Sequence, residues 1–446
     1  MGKKKWTRPR SGPGASLKRG ALRLKATKTE ARSGKKHADY VPKSQLGEPE
    51  ARRGREKLVV AGSALKQMTN RQLKQHLEKL GHVPQLKAGS ACLFCGHKSL
   101  SVHGCPPLPA VLKGWSARYF RCTRKCCHKQ QHFLSNSPVF YVGRGTDVPP
   151  LRQQVTVLWH LAWRTPGRLL RAEVGCNEKR IENMRHRWQG VLSKFVEETQ
   201  SRSQGGDFQQ VEVDETVVRK QKVGDTVAWQ TFVGSKVRGQ RKSLVLQKRG
   251  FANSLSKVRP SGLSAPPPLT TAEWQSFATE HLQSNTVVHT DGAQAYCAPV
   301  PNLHLRHDSV SHSTKKGGPY FTNNCTHKGV KKVDKRKSNL KTVAGTQCID
   351  GTWTSLKRSC LGVNAKYPHK IEDHVREAQF HSWQGSADPW HAMGSVLRWH
   401  RAALGALIAK KHNAQATGPT SLRESFTFAA AEDSFLGTSC ALEKPY

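Results

Sequence analysis

Strand and helix patterns alternate from residue 208 to residue 383, and this alternation limits the folds that the chain can adopt. It opens with the segment VEVDET at 211–216, where two valines alternate with acidic residues as in a β-strand. A core built from these elements is an α/β domain. We predict strands at 210–218, 226–237, 242–248, 285–290 and 303–306, a helix at 271–283, and a last helix over CIDGTWTSLKR.

Three carboxylates stand at defined points of this alternation, in a chain with 73 Lys+Arg and only 31 Asp+Glu. Asp214 lies on the first strand, Asp291 directly follows the strand at 285–290, and Asp350 lies on the last helix. Each acid alone has an ordinary explanation, as a strand-end, turn or helix-start residue. Together, the elements and their acids follow the order of a ribonuclease H-like fold over 208–383, in which the three side chains would converge.

Converging carboxylates repel one another unless cations neutralise them. Mg²⁺ or Mn²⁺ suits such a site because these ions accept carboxylate oxygen ligands and leave positions open for phosphate. Two such ions about 3.5–4 Å apart can activate a water or a 3′-hydroxyl and stabilise the leaving oxygen. We therefore predict that Asp214, Asp291 and Asp350 are metal ligands and catalytic residues for phosphodiester chemistry.

The formal charge of +42 points to a polyphosphate partner. A membrane-binding protein is the rival, but the sequence has no run of about 18 apolar residues, and its start, MGKKKWTRPR, lacks the apolar run of a secretory signal. An RNA-binding or ribosome-associated protein would share the charge but not the ordered acids. Residues 1–60 read as a disordered basic arm and 384–446 as a partly helical tail. The basic clusters predict location in the nucleus, or in the nucleoid and cytoplasm of a bacterium.

Cysteines cluster in a stretch that has few large apolar residues. Cys92 and Cys95 form a C-x2-C knuckle followed by glycine, and a second group lies about 27 residues further on. In a reducing compartment, metal ligands are favoured over disulfides, and four thiolates suit tetrahedral Zn²⁺. Nearby histidines and Cys105 leave the fourth ligand open. We predict a zinc-ribbon-like module at 85–142 whose ligands are Cys92, Cys95, Cys122 and either Cys126 or Cys127.

Helical periodicity predicts a helix-turn-helix at 150–200. The first helix begins at Leu151, Pro166 begins a second that ends at Gly175, and Asn177 can cap a third. The third helix would enter the major groove of DNA. Its outward basic residues, which we predict to contact DNA, are Lys179, Arg180, Arg185 and Arg187.

Three segments resemble the acidic blocks of Merlin-type DDE transposases and their bacterial insertion-sequence relatives, which typically carry a zinc ribbon and a helix-turn-helix. The segments are VEVDET, VVHTDGAQAY and TQCIDGTWTSLKR, and the resemblance spans about 90–383. The chain departs from the family at Asp350, where the family has mostly Glu, at Gly345, where it often has His, and in the block 323–344, which looks like an insertion. Residues that match the family's third block are Thr346, Ile349, Trp353, Lys357 and Arg358.

This resemblance implies a DNA transposase that uses two-metal-ion chemistry to cut and join double-stranded DNA at terminal inverted repeats. Lys357 and Arg358 would then contact DNA, together with the basic face of the helix-turn-helix. A homodimer is compatible with this function, and no membrane partner is expected. The alternative is a domesticated or inactive transposase-derived DNA-binding protein, which keeps the zinc and helix-turn-helix modules without the chemistry. The arrangement of the three acids in space separates the two.

Overall fold

The structure is a computed structural model in which most of the chain between residues 61 and 417 can be described. The predicted basic arm at 1–60, the end of the predicted tail and Cys126 lie outside the described residues. The described residues are 61–103, 112, 114–115, 118–125, 127–142, 148–223, 226–249, 252–254, 266–311, 322–331, 337–361, 368–385 and 387–417.

This part of the chain is a mixed α/β structure with nine α-helices and several β-sheets. The helices are α1 (Gly62–Gln67), α2 (Asn70–Leu80), α3 (Leu151–Ala162), α4 (Gly167–Val174), α5 (Glu178–Thr199), α6 (Thr271–His281), α7 (Gln347–Ser359), α8 (Pro368–Gln384) and α9 (Pro389–Thr417). The strands are β1 (Leu100–His103), β2 (Tyr119–Cys122), β3 (Gln130–Gln131), β4 (Gln204–Gly205), β5 (Gln210–Val223), β6 (Thr226–Val237), β7 (Val245–Lys248), β8 (Ala252–Ser254), β9 (Leu282–Gln283), β10 (Val287–Thr290), β11 (Arg306–Ser309), β12 (Asn323–Lys331) and β13 (Lys337–Ala344). None of the described helices is long and apolar enough to cross a bilayer.

The largest sheet has the strand order β11-β10-β5-β6-β7, and β8 pairs with β6 beside β7. Strands β5, β6 and β7 are antiparallel neighbours, whereas β10 runs parallel to β5 and β11 parallel to β10. In the parallel pair, Val288 lies opposite Val211 and His289 opposite Glu212. Continuing this register by two residues places Asp291 beside Asp214.

Helices cover both faces of this sheet, and the alternation in VEVDET divides its side chains between them. Val211 and Val213 are fully buried in a cluster with Trp274 and Phe277 of α6. On the other face, the apolar residues of β6 and β7 pack with Trp353 of α7 and with α8. Residues 212 and 214 therefore point toward α7, which is the helix that carries Asp350.

Helices α3, α4 and α5 lie where the sequence predicts a helix-turn-helix. Gly175 ends α4 in the left-handed conformation, with a φ of +61°, and the Asn177 side chain caps α5 by accepting a hydrogen bond from the Lys179 amide at 2.9 Å. Buried residues of α5, such as Met184 and Trp188, belong to the same core as α7 and α8. The long third helix is thus attached rigidly to the sheet domain.

The edge strand of the sheet and the block before α7 differ from the sequence prediction, whereas the predicted tail helix is present. The strand expected at 303–306 is Arg306–Ser309, because Leu303 and Leu305 pack against the α6 cluster instead of pairing with β10. The block 323–344 is an antiparallel hairpin of β12 and β13, which pair across the undescribed residues between them. The predicted tail helix is α9, and its Arg398 and Arg401 donate to the carbonyls that end α2.

Candidate metal centres

An acidic cluster lies where β5 passes the end of the parallel strand β10. Asp214, Glu215 and Asp291 can each offer a carboxylate oxygen such that the three atoms lie within 4.8 Å of one another. Asp214 and Glu215 are consecutive, so they leave β5 on opposite faces of the sheet. Both can reach Asp291 because Asp291 follows the last residue of β10, where this strand no longer separates the two faces of the sheet.

Trp353 fixes the orientation of Asp214. The indole Nε1 of Trp353 donates a hydrogen bond to Asp214 Oδ2 at 2.7 Å. The ring lies against β6 at Gly234, which is paired with Asp214 across the two strands, and a Cβ at this glycine would collide with the ring. The missing side chain at Gly234 therefore allows α7 to approach the strand that carries Asp214.

Asp350 lies beside this cluster but is not one of its three members. It stands on the first turn of α7, exposed to solvent, and accepts a hydrogen bond from Thr346 Oγ1 at 3.1 Å. Its negative charge contributes to raising the pKa of Asp214. Since Trp353 follows it by three residues, the two side chains lie on neighbouring parts of one helix face. The predicted third acid is thus near Asp214, while Glu215 completes the compact group.

The acids perturb one another as expected for an uncompensated cluster. Burial raises the pKa of Asp214 to about 7, the Trp353 hydrogen bond opposes the rise, and the charges of Asp350, Asp291 and Glu215 add to it. The pKa of Glu215 is also raised, first by burial and then by the charge of Asp291. A set of crowded carboxylate oxygens fits Mg²⁺ or Mn²⁺, since such a cation would offset their repulsion.

This electrostatic arrangement predicts a stability that depends on both pH and divalent cations. The pKa of Asp214 rises from 3.8 to about 7 on folding, so the folded chain holds more protons than the unfolded chain between these values. The contribution of Asp214 to stability is therefore present below pH 3.8 and lost as the pH rises through about 7. We expect Mg²⁺ to raise the Tm more at about pH 8 than at about pH 5.5, because protons compete with the cation at low pH.

Differential scanning fluorimetry with and without Mg²⁺ measures this effect. Asp214→Asn should remove most of the difference between the Mg²⁺-induced Tm shifts at the two pH values. Asp207→Asn, the same chemical change at an exposed acid, should keep that difference. An equal Mg²⁺ shift at both pH values would contradict the expectation.

Glu215 is the member of the acidic group that sequence reasoning missed. It stands next to Asp214 in VEVDET, but strand alternation assigns it to the opposite face, where a residue would ordinarily pack away from Asp214. Buried Tyr296, which follows Asp291 in the chain, lies beside it, and burial together with the negative charge of Glu215 raises the pKa of the tyrosine. The two neighbours reach one site because Asp291 follows the last residue of β10 beside β5, and this meeting depends on the sheet register, which no local pattern encodes.

A second cluster consists of four sulfur ligands, Cys92, Cys95, Cys122 and Cys127. The Sγ atoms of Cys92 and Cys127 are 3.8 Å apart and those of Cys95 and Cys122 are 3.6 Å apart. These separations are too long for disulfide bonds. They fit a tetrahedral Zn²⁺ site, where bonds of about 2.3 Å separate the sulfurs by about 3.8 Å. The structure therefore supports Cys127 among the two alternatives for the fourth ligand.

The zinc-ribbon-like module has the hydrogen bonds expected around thiolates. The amide of Phe94 and the side chain of Gln131 donate to Cys92 Sγ at 3.3 and 3.2 Å, and Ser99 Oγ is 3.2 Å from Cys122 Sγ. Strands β1, β2 and β3 form a small antiparallel sheet that holds the two knuckles. None of the described histidines joins the four cysteines.

The predicted DNA-contacting residues are only partly exposed. On α5, Lys179 and Arg187 are exposed, whereas Arg180 and Arg185 are half-buried. Arg187 lies over the Tyr141 ring, 4.0 Å from its centroid, and Arg185 pairs with Glu182 at 3.0 Å. The other two predicted residues, Lys357 and Arg358, are exposed on the last turn of α7.

No family model matches this sequence. A comparison with curated proteins also finds no match.

Proposed function

We propose that this protein is a DNA transposase that hydrolyses phosphodiester bonds at the terminal repeats of its own element and joins the freed ends to target DNA. The observation that carries the proposal is the convergence of Asp214 and Asp291 on neighbouring parallel strands. Helix α7, which carries Asp350, is tied to Asp214 by a hydrogen bond of 2.7 Å from Nε1 of Trp353 to Oδ2 of Asp214. Asp214 and Asp291, which are distant in sequence, thereby lie together beside the end of β10, and Asp350 is near enough for its charge to help raise the pKa of Asp214, which burial raises first.

The proposal includes a ribonuclease H-like core. In sequence order its strands are β5, β6, β7, β10 and β11. Their spatial order supports this assignment, because β5, β6 and β7 form an antiparallel set and β10 and β11 extend the sheet in parallel on the other side of β5. Helix α6 precedes β10, and α7 follows β11 after the β12–β13 hairpin. The hairpin explains how an insertion before the third acid can leave the sheet order undisturbed.

The acids would hold the cations, and each of the surrounding residues has a separate part. Divalent cations bound there would supply the charge that activates the attacking oxygen and stabilises the leaving one. Asp214 and Asp291 provide ligand oxygens, Glu215 lies close enough to complete the set, and Trp353 fixes Asp214. We assign the exposed basic residues of α5 and α7 to the DNA backbone and its grooves.

The reaction consists of two displacements at phosphorus. In cleavage, the oxygen of water bonds to phosphorus while the bond to the 3′ oxygen breaks. The 3′ oxygen takes up a proton, so one fragment of the cut strand ends in a 3′-hydroxyl and the other begins with a 5′-phosphate, which carries the water oxygen. In joining, that 3′ oxygen bonds to a phosphorus of target DNA and displaces another 3′ oxygen. The protein's basic residues hold both DNA segments, and the number of phosphodiester bonds is conserved in the second step.

The proposal is tested by incubating the purified full-length protein with Mg²⁺ and labelled duplexes that carry its own terminal repeats. We expect strand cleavage that leaves 3′-hydroxyl ends and depends on the divalent cation. A duplex with scrambled ends is the control. Tight, end-specific binding without cleavage in either Mg²⁺ or Mn²⁺ would overturn the enzymatic assignment and favour a transposase-derived DNA-binding protein. We extend the proposal to the nucleus of a eukaryotic host, or to the nucleoid of a bacterial one.

A further inference from the structure

VEVDET contains a third acid, Glu212, which plays no part in the acidic cluster. Its side chain is fully buried and pairs with buried Arg238, whose Nε lies 2.8 Å from Glu212 Oε1. Removing two charges from water costs several kcal/mol per ion, so a buried pair is by itself weak evidence for stability. The contacts that the two side chains make beyond each other indicate what the pair does.

Glu212 caps the helix that carries Asp350. Its second carboxylate oxygen accepts hydrogen bonds from the amides of Cys348 and Ile349, at 2.7 and 3.0 Å. These amides belong to the first turn of α7, where helix geometry leaves donors unsatisfied. The residue at the N-cap position, Thr346, makes no capping hydrogen bond to them. A carboxylate from the strand of Asp214 therefore replaces the local cap and also meets the positive end of the helix dipole.

Arg238 holds the segment that leads into the same helix. Its two terminal nitrogens donate to the carbonyls of Val343 and Gly345, at 2.8 and 2.7 Å. Those residues end the hairpin strand β13 and precede α7 directly. The ion pair thus fixes the start of α7 from both sides, through its amides and through the carbonyls before it.

The same arginine reaches the strand that carries Asp291. Arg238 Nη1 donates to Gln210 Oε1 at 2.8 Å, and that oxygen is also 3.1 Å from Nε2 of His289. His289 is fully buried on β10, two residues before Asp291. On its other side, His289 lies 3.6 Å from the buried carboxylate of Asp308 on β11. One continuous buried network therefore touches β5, β10 and α7, the three elements that carry the acids.

We propose that Glu212 and Arg238 are positioning residues that set the distances between the acids of the metal centre, without touching a cation or DNA themselves. This inference rests on the proposed function, because it assigns the network to that site. It explains why a strand with two acids pointing toward α7 uses one for the cluster and buries the other. It also explains why the strand and helix stay in register although the β12–β13 hairpin is inserted between them.

Glu212→Gln in the full-length protein is the primary test. Glutamine keeps the size of the side chain and can still accept from an amide, but its neutral amide group cannot pair with Arg238. We expect Mn²⁺ affinity, measured by electron paramagnetic resonance titration, to fall about 10–100-fold, as for other residues that orient metal ligands. We also expect faster hydrogen exchange of the amides at the start of α7. Glu377→Gln, the same change at a buried carboxylate that pairs with Gln189 between α5 and α8, should alter neither quantity.

A second variant protects the test against failed folding. Glu212→Gln combined with Arg238→Met removes both buried charges, so no unpaired ion remains and the fold should persist. The same 10–100-fold loss of Mn²⁺ affinity is expected, since the contacts to the start of α7 are also lost.

The outcomes separate this inference from the proposed function. Equal Mn²⁺ affinities for wild type and Glu212→Gln would overturn the positioning role while leaving the metal centre intact. If the wild type binds Mn²⁺ no better than Asp214→Asn does, the proposed function fails. In that case, hydrogen exchange of the amides at the start of α7 tests the positioning role. Exchange rates that are the same in Glu212→Gln and in the wild type would overturn that role.

Discussion

Asp214→Asn and Asp291→Asn are each expected to lower the rate of DNA cleavage by roughly 10³-fold, or about 4 kcal/mol of transition-state stabilisation. Asparagine keeps the size of the side chain but removes the ligand charge that holds a cation. DNA affinity should stay near the wild-type value, because the basic residues of α5 and α7 are unchanged. Single-turnover cleavage of labelled terminal-repeat duplexes and fluorescence anisotropy measure the two quantities.

Asp207→Asn is the matched control, since Asp207 is an exposed acid in the turn before β5. It should cleave at the wild-type rate. Residual activity above about a tenth of the wild type in Asp214→Asn or Asp291→Asn would contradict the assignment of these residues to the catalytic centre.

The same assay distinguishes the two acids that compete for the third position. Glu215→Gln should raise the Mg²⁺ concentration needed for half-maximal cleavage, because a carboxylate oxygen of Glu215 lies within 4.8 Å of ligand oxygens of both Asp214 and Asp291. Asp350→Glu should raise the cleavage rate, since one more methylene lets the carboxylate of α7 reach further toward Asp214. A lower rate in Asp350→Glu would indicate instead that α7 already places the shorter side chain correctly.

Cys92→Ser should abolish Zn²⁺ binding and unfold the zinc-ribbon-like module. Structural zinc contributes about 10–16 kcal/mol to small modules of this kind, which exceeds what the few apolar residues here can supply. The apolar cluster of the module contains Leu100 and Phe120 besides the cysteines themselves. Zinc content measured by atomic absorption should fall from one ion per chain to none, and limited proteolysis should cut between β1 and β3.

Cys297→Ser provides the comparison, because Cys297 is an exposed cysteine outside the four-sulfur cluster. Its zinc content and proteolytic pattern should match the wild type. If Cys92→Ser retains a full equivalent of Zn²⁺ and resists proteolysis, the four cysteines do not form the zinc site.

Local signals in the sequence predicted much of the architecture. Gly175 ends α4 in the left-handed conformation with a φ of +61°, and the side chain of Asn177 caps α5, as the sequence predicted. These features depend on residues a few positions apart, so a single sequence contains them. The period-two pattern of β5 likewise fixed which side chains share a face, and therefore which acid points toward α7.

The hairpin at 323–344 shows where that kind of signal ends. A two-stranded ribbon with little buried surface needs no apolar alternation, and the exposed residues of β12 include Asn324, Thr326 and Lys328. Its charged sequence therefore indicates an exposed insertion but not a strand pair. The two strands are held together by hydrogen bonds between backbone groups. Every residue except proline can donate such a bond, so the side chains alone do not reveal the pairing.

Local patterns predicted the order of the main core strands and helices, the positions of Asp214, Asp291 and Asp350 on them, and three of the four cysteines of the sulfur cluster. Each depends on spacing along the chain. The folded structure was needed to show that Glu215 joins the acidic cluster, that Cys127 completes the sulfur cluster, and that Glu212 caps a helix 136 residues away. Those roles depend on distances between segments that are remote in sequence, and such distances are fixed by sheet register and core packing, which no local pattern encodes.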